Sequence, residues 1–147
     1  MGEPALQLDT PIGGVAPEYV LSVWPKVEPI LKRVIKPDSG YAPHHVLMEI
    51  QQRIAQLWII GDFDAAVITK ILVKPLHKVL FIPFMAGNGY HEWRDDWQTL
   101  MEAYAIHNGC SAIEWSDRRG WKRLADTHGD GYKPTLLTIR KELDNGQ

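Results

Sequence analysis

Five consecutive residues, Met85-Ala86-Gly87-Asn88-Gly89, join the most apolar run of the sequence to a segment of strong helical periodicity. A glycine turn that opens a helix presents backbone N–H groups at the positive end of the helix dipole, which suits a pyrophosphate or another anion. Pro83 lies inside the apolar run Val79 to Ala86. A proline within a strand forfeits a ladder hydrogen bond and belongs at an edge or a bulge, and the apolar flanks here favour the bulge. A bulged or splayed strand leaves backbone groups open to an extended ligand arm, whose phosphates the adjoining helix start would hold. Glu114 and Ser116, two residues apart in a short strand, share one face and can offer a carboxylate and a hydroxyl to one cleft. Plainer readings stand beside these: a turn with Asn88 as the helix N-cap, an edge strand at Pro83, and a solvent-facing Glu114/Ser116 pair.

Other chemistries are absent from the sequence. There is no nucleophile elbow, no phosphate loop ending in Gly-Lys-Ser/Thr and no Cys/His pair at a recognisable spacing. Cys110 is the single cysteine, which excludes an internal disulfide and a cysteine-based zinc site and fits a reducing compartment. His44 and His45 point about 100° apart on a helix, and the other four histidines show no ligand spacing, so no metal is expected. With 16 Lys+Arg against 18 Asp+Glu, the net charge of −2 lacks the footprint of a general nucleic-acid or anionic-membrane binder. Arg118, Arg119, Lys122 and Arg123 form one local basic patch around Gly120-Trp121, read either as a solvated helix face or as a contact for a phosphate, an acidic partner surface or nucleic acid. Residues 1–17 lack the basic start and apolar run of a signal peptide, and no stretch approaches a membrane span, so the expected location is the cytoplasm.

These residues need elements to position them. The chain of 147 residues, 45% hydrophobic and 23% charged, is sized and composed for one folded domain. Gly2 to Pro17 reads as an irregular arm, and residues 18–147 as the domain. Val20, Val23, Trp24, Val27, Ile30, Leu31 and Val34 recur at helical spacing, with Pro25 and Pro29 expected to kink that helix or divide it. A second helix spans about Pro43 to Ala55. Strands follow at Leu57–Ile60, Ala65–Lys74 and Val79–Ala86, the last buried on both faces and therefore central. Trp93, Trp97, Leu100, Met101 and Tyr104 mark the core face of the next helix, which ends at Gly109. A strand at Ala112–Trp115, a helix at Arg118–Thr127 and a strand at Tyr132–Leu143 complete the order α-α-β-β-β-α-β-α-β.

The splayed strand followed by a glycine turn and a helix resembles the GNAT acyltransferase superfamily, over about Glu18 to Leu143. More narrowly, Val23-Trp24-Pro25-Lys26-Val27-Glu28-Pro29, Gln56-Leu57-Trp58-Ile59-Ile60, Asn108 to Glu114 and Arg119-Gly120-Trp121 are together similar to GNAT-like proteins encoded by tailed bacteriophages. The resemblance implies an α/β (α+β) fold with a mixed, mainly antiparallel sheet of five to six strands flanked by about four helices. It implies acetyl-CoA as cofactor, its pantetheine in the gap beside the splayed strand and its pyrophosphate on Met85 to Gly89. It further implies transfer of an acyl group to an amine of a protein or small molecule in the host cytoplasm, with Glu114 and Ser116 in the cleft. The family's loop has Arg or Gln where Phe84 stands, the helix that follows opens with Glu92, Asp95 and Asp96, and the family's tyrosine acid has no clean counterpart. Those departures point to the alternative: a catalytically degenerate fold serving as a virion, assembly or host-protein-binding component.

Overall fold

A computed structural model of the chain describes residues 8–115, 131–132 and 140–143. The chain divides into two units, Met1–Trp115 and Ser116–Gln147. In the second, the described residues include an ion pair between Arg140 and Glu142 at 3.5 Å. The expected helix at Arg118–Thr127, with its basic patch, lies outside the described residues. So does the middle of the expected last strand, whose described ends, Tyr132 and Arg140–Leu143, are not in strand conformation.

The first unit runs β1 (Ile12–Val15), α1 (Val20–Leu31), α2 (Pro43–Gln51), β2 (Ala55–Ile60), β3 (Ala65–Val73), β4 (Lys78–Gly87), α3 (Tyr90–His107) and β5 (Ala112–Trp115), with 3-10 turns at Pro17–Tyr19 and Pro37–Ser39. The five strands form one sheet in the order β1-β2-β3-β4-β5. All neighbours are antiparallel except β4 and β5, which α3 connects in parallel. This is the expected mixed, mainly antiparallel sheet, with three α-helices among the described residues.

Strand β1 falls within the segment read as an irregular arm. Its Gly13-Gly14 pair hides it from propensity reasoning, yet Gly14 has a packing reason: a Cβ there would lie 3.4 Å from the Trp58 ring opposite. Two contacts tie down the approach to β1. The Gly61 N–H donates to the Pro11 carbonyl at 2.8 Å, and the Thr10 N–H donates to Asp96 Oδ2 on α3 at 2.8 Å.

Helix α1 is one uninterrupted element with Pro25 and Pro29 inside it. The two prolines are four residues apart and both exposed, so the two lost N–H donors fall on the solvent side, where a helix wrapping its core tolerates longer spacing. Val20, Trp24, Val27 and Leu31 form the opposite stripe and pack with Val46 and Ile50 of α2 against Leu57, Ala66, Ile68 and Phe84 of the sheet. Helix α2 begins with Pro43 at a position where the missing donor costs nothing, and the Ala42 N–H donates to His45 Nδ1 at 2.9 Å.

Helix α3 covers the other face of the sheet with the expected residues inward: Trp93, Trp97 and Met101 are buried, and Leu100 and Tyr104 half-buried. Edge-to-face contacts run from Tyr90 to Trp93 (5.0 Å between ring centroids), on to Trp97 (6.4 Å), to Trp58 of β2 (6.2 Å) and to Tyr104 (4.9 Å). The tryptophans of this helix are core, as their spacing implies.

Candidate functional site

Strand β4 carries the irregularity that Pro83 announces. Ile68 pairs with Phe84 and Lys70 with Phe81, so the single residue Thr69 on β3 stands opposite two residues, Ile82 and Pro83, on β4. That is a β-bulge, and it holds the proline where no ladder donor is required. The extra residue also resets the alternation of side chains. Phe81 and Phe84, three apart, both face the α1/α2 side, while Leu80 and Met85 face α3. Pairing with β5 is recorded from Val79↔Ala112 to Ile82↔Trp115. Beyond the bulge, Phe84 to Gly87 pair with Ile68 to Ala65 of β3.

A buried polar chain lies opposite the bulge on the α3 face. Trp58 Nε1 donates to Thr69 Oγ1 at 2.9 Å, and the Thr69 hydroxyl donates to Gln56 Oε1 at 2.8 Å. Thr69 is fully buried, so these bonds satisfy a hydroxyl and an indole N–H that would otherwise be orphaned.

The loop Met85 to Gly89 is built largely for packing. Met85 and Ala86 are buried, so only their backbone can meet a ligand. Gly87, at φ 135°, is a glycine by necessity: a Cβ would collide with the Asp64 carbonyl and with Ala65. The Asn88 N–H donates to that same carbonyl at 2.9 Å, latching the loop to the β2–β3 turn, and the Asn88 carbonyl accepts from Trp93 Nε1 at 2.8 Å. The N-cap of α3 is Gly89, left-handed at φ 76°, without a side-chain cap; the Asn88 side chain does not cap the helix. Of the acids at the start of α3, Asp96 anchors Thr10 and Asp95 pairs with Arg94 at 2.7 Å. Glu92 stays beside the loop, its carboxylate 3.5 Å from where a Gly89 Cβ would stand.

Glu114 lies elsewhere. It pairs with Phe81, about 13 Å along the strand from the level of Met85 at ~3.3 Å per residue, and forms an ion pair with Lys74 at 3.6 Å. The structure thus keeps Met85 to Gly89 together and sets Glu114 apart from them, on the far side of the bulge. Ser116 lies outside the described residues. Cys110 is half-buried.

The sheet brings together a second group that the sequence did not reveal. Lys70, Phe81 and Glu114 form one row across β3, β4 and β5 on the α1/α2 face, immediately beside the bulge. Lys70 Nζ lies 2.7 Å from Glu49 Oε2 of α2 and donates to the Tyr41 hydroxyl at 2.9 Å, while the Tyr41 ring packs edge-on against Phe84 at 5.8 Å. Burial pulls the Lys70 pKa down, but hydrogen bonds to Glu49 and Tyr41 outweigh it and the net direction is up. Glu49 Oε1 is buried and has no hydrogen-bond partner. The available signal was a lysine in the middle of a β-branched strand, a poor place for a charge without a partner; what the partner was required the fold.

No family model matches the chain, and no curated protein does. Solved structures do. A GCN5-related N-acetyltransferase from Ralstonia eutropha aligns with TM-score 0.60 at 14% identity, over 90% of this chain and 98% of that one. A ribosomal-protein-alanine N-acetyltransferase from Brucella melitensis biovar Abortus gives 0.62 at 12%, over 89% and 99%. The aminoglycoside N-acetyltransferase AAC(6')-Iy in complex with CoA gives 0.62 at 15%, over 96% and 99%.

A CoA thioester provides a concrete test of the described site. The stretch Pro83 to Gly87 lies beyond the bulge and leads straight into the turn before α3, where an extended arm would run alongside its backbone. The start of α3 fits a phosphate by dipole, although the Asn88 N–H is committed to Asp64 and Glu92 adds a negative charge. Among the described residues no group of His, Cys, Asp or Glu is placed to hold a metal ion, and no helix is long and apolar enough to cross a membrane. Over about nine-tenths of its length the chain therefore has the fold of these GNAT acetyltransferases, a five-stranded, mostly antiparallel sheet with helices on both faces.

Proposed function

We propose that the protein is an N-acyltransferase that takes its acyl group from acetyl-CoA. The bulge at Ile82–Pro83 opposite Thr69 carries this reading, because it stands in a central strand that leads straight into a glycine turn and a helix. The cofactor would supply an acyl group already activated as a thioester. Backbone groups of Pro83 to Gly87 would align its arm, and the first turn of α3, behind Gly87-Asn88-Gly89, would face its phosphates. Glu114, paired with Lys74 at 3.6 Å on the row beside the bulge, would accept the proton of an incoming amine.

The finer reading, a GNAT-like protein of a tailed bacteriophage acting in the host cytoplasm on a host or phage amine, is supported by the sequence segments around Val23–Pro29, Gln56–Ile60 and Asn108–Glu114. A second reading, a fold kept for binding with catalysis lost, is favoured by Glu92 beside Gly89 and by the Asn88 N–H already bonded within the protein. Calorimetry with acetyl-CoA separates the two. Micromolar binding that is lost when Gly89 becomes a bulky residue supports the enzyme, and no binding at millimolar ligand removes it. Mass spectrometry of purified virions tests the second reading, which requires the protein to be present in them.

A further inference from the structure

The tip of the β3–β4 hairpin is apolar where a turn is ordinarily polar. Beyond the last strand pair, Val73↔Lys78, the Lys74 N–H donates to the His77 carbonyl at 2.7 Å, so Pro75 and Leu76 alone form the apex. Pro75 fixes its own φ and holds the turn in shape, which lowers the entropy cost of ordering it on contact. Leu76 is 88% exposed, more than any other large apolar side chain among the described residues, and Val73 is 78% exposed. Single exposed apolar residues are ordinary on a protein surface. Val73, Pro75 and Leu76, close together on one projection, make a contiguous patch instead.

Charge supplies the second constraint. Lys74 and His77 flank the apex, and Lys78 follows one residue behind. The sequence has no acid between Asp64 and Glu92, and Glu114, paired with Lys74 at 3.6 Å, lies three residues further in, at the level of Phe81. Over a Debye length of about 8–10 Å this local sign counts for more than the net −2 of the chain.

Shape supplies the third. A two-residue apex is far narrower than the ~800 Å² per partner of a stable protein interface, whereas a bilayer moulds around a projection and requires no matching groove. An apolar apex ahead of a basic collar also matches the layering of an anionic bilayer, with acyl chains beneath phosphates.

We propose that the β3–β4 hairpin is a membrane-surface anchor: Leu76 and Val73 enter the interface of an anionic phospholipid bilayer, and Lys74, His77 and Lys78 meet its phosphates. The tip and the Gly87 turn stand at opposite ends of β4, Lys78–Gly87, so at ~3.3 Å per residue docking would leave the start of α3 about 30 Å from the bilayer. The anchor holds under either reading of function.

The test is co-sedimentation of the full chain with vesicles of phosphatidylcholine alone, or with about one third phosphatidylglycerol, at ~0.1 M salt. Partitioning onto the anionic vesicles about tenfold or more stronger than onto the neutral ones is expected, lowered about fivefold or more in Leu76→Gln and about threefold or more in Lys78→Gln. Leu21→Gln, the same change at an exposed leucine of α1, should leave it unaltered. No sedimentation with anionic vesicles at about 1 mM lipid, equal binding to both kinds, or a loss in Leu21→Gln as large as in Leu76→Gln would each overturn it. Displacement by soluble polyglutamate together with unchanged sedimentation of Leu76→Gln would assign the tip to an acidic protein and likewise overturn it. Thermal melts check that each variant folds; if Lys78→Gln does not, Leu76→Gln and the lipid contrast decide.

Discussion

The two ends of β4 are built on opposite principles. At Phe81, before the bulge, side chains of three strands, helix α2 and the loop before it converge with charges matched in pairs. At Gly87, beyond it, backbone meets backbone: the strand end presses on Ala65, the Asn88 N–H is latched to Asp64, and the neighbouring charges are acids. The first end is organised by side-chain chemistry and tolerates conservative change. The second is organised by shape and tolerates almost none.

That contrast can be broken most sharply at Gly87. Gly87→Val should cost about 3 kcal/mol or more, since it combines a left-sided φ with a collision against backbone, and would show as a lowered urea midpoint. Gly89→Ala, at φ 76° with its nearest neighbour 3.5 Å away, should cost only about 1–2 kcal/mol. Equal losses would mean that the latch to Asp64 does not hold in solution.

Thr69→Val keeps shape opposite the bulge and removes only the hydroxyl, leaving Trp58 Nε1 buried without an acceptor. A loss of about 1–3 kcal/mol is expected, with the Trp58 indole N–H shifted in proton NMR. A smaller effect belongs to Glu92. Glu92→Gln should tighten acetyl-CoA two- to fivefold while weakening the helix start by about 0.3–1 kcal/mol, an opposition of signs that calorimetry and thermal melts can read together. If both move the same way, Glu92 does not face the phosphate end.

The smallest expected effect is in pH. The Lys70 pKa is raised in the folded protein, so its contribution to stability is full below the ordinary lysine value near 10.4 and fades as pH climbs above it. The melting-temperature gap between wild type and Lys70→Met should be constant at neutral pH and close only on the alkaline side. A gap that stays open on the alkaline side would mean that Glu49 and Tyr41 do not hold the Lys70 ammonium in solution.

Much of this was legible beforehand. Trp93, Trp97 and Met101 at helical spacing identified the buried face of α3, and Pro83 in an apolar run identified the bulge, because both signals are local and periodic. Strand β1 was not legible, since Gly13 and Gly14 have no propensity for strands and the packing of Gly14 against Trp58 appears only in the fold. Nor was the cap of α3: Asn88 is the better capping residue by type, yet its N–H is drawn to Asp64 and Gly89 takes the position.

The sequence by itself determined α1 to α3, β2 to β5, their order and the place where the central strand must break, because hydrophobic period and proline chemistry act over a few residues. Only the tertiary structure decided what those elements bring together. Glu49, Lys70 and Glu114 come from a helix and two strands; α2 brings Glu49 onto Lys70, and antiparallel and parallel register align Lys70, Phe81 and Glu114 in one row. A two-for-one bulge then turns Phe84 to the same face, and no local pattern encodes that register.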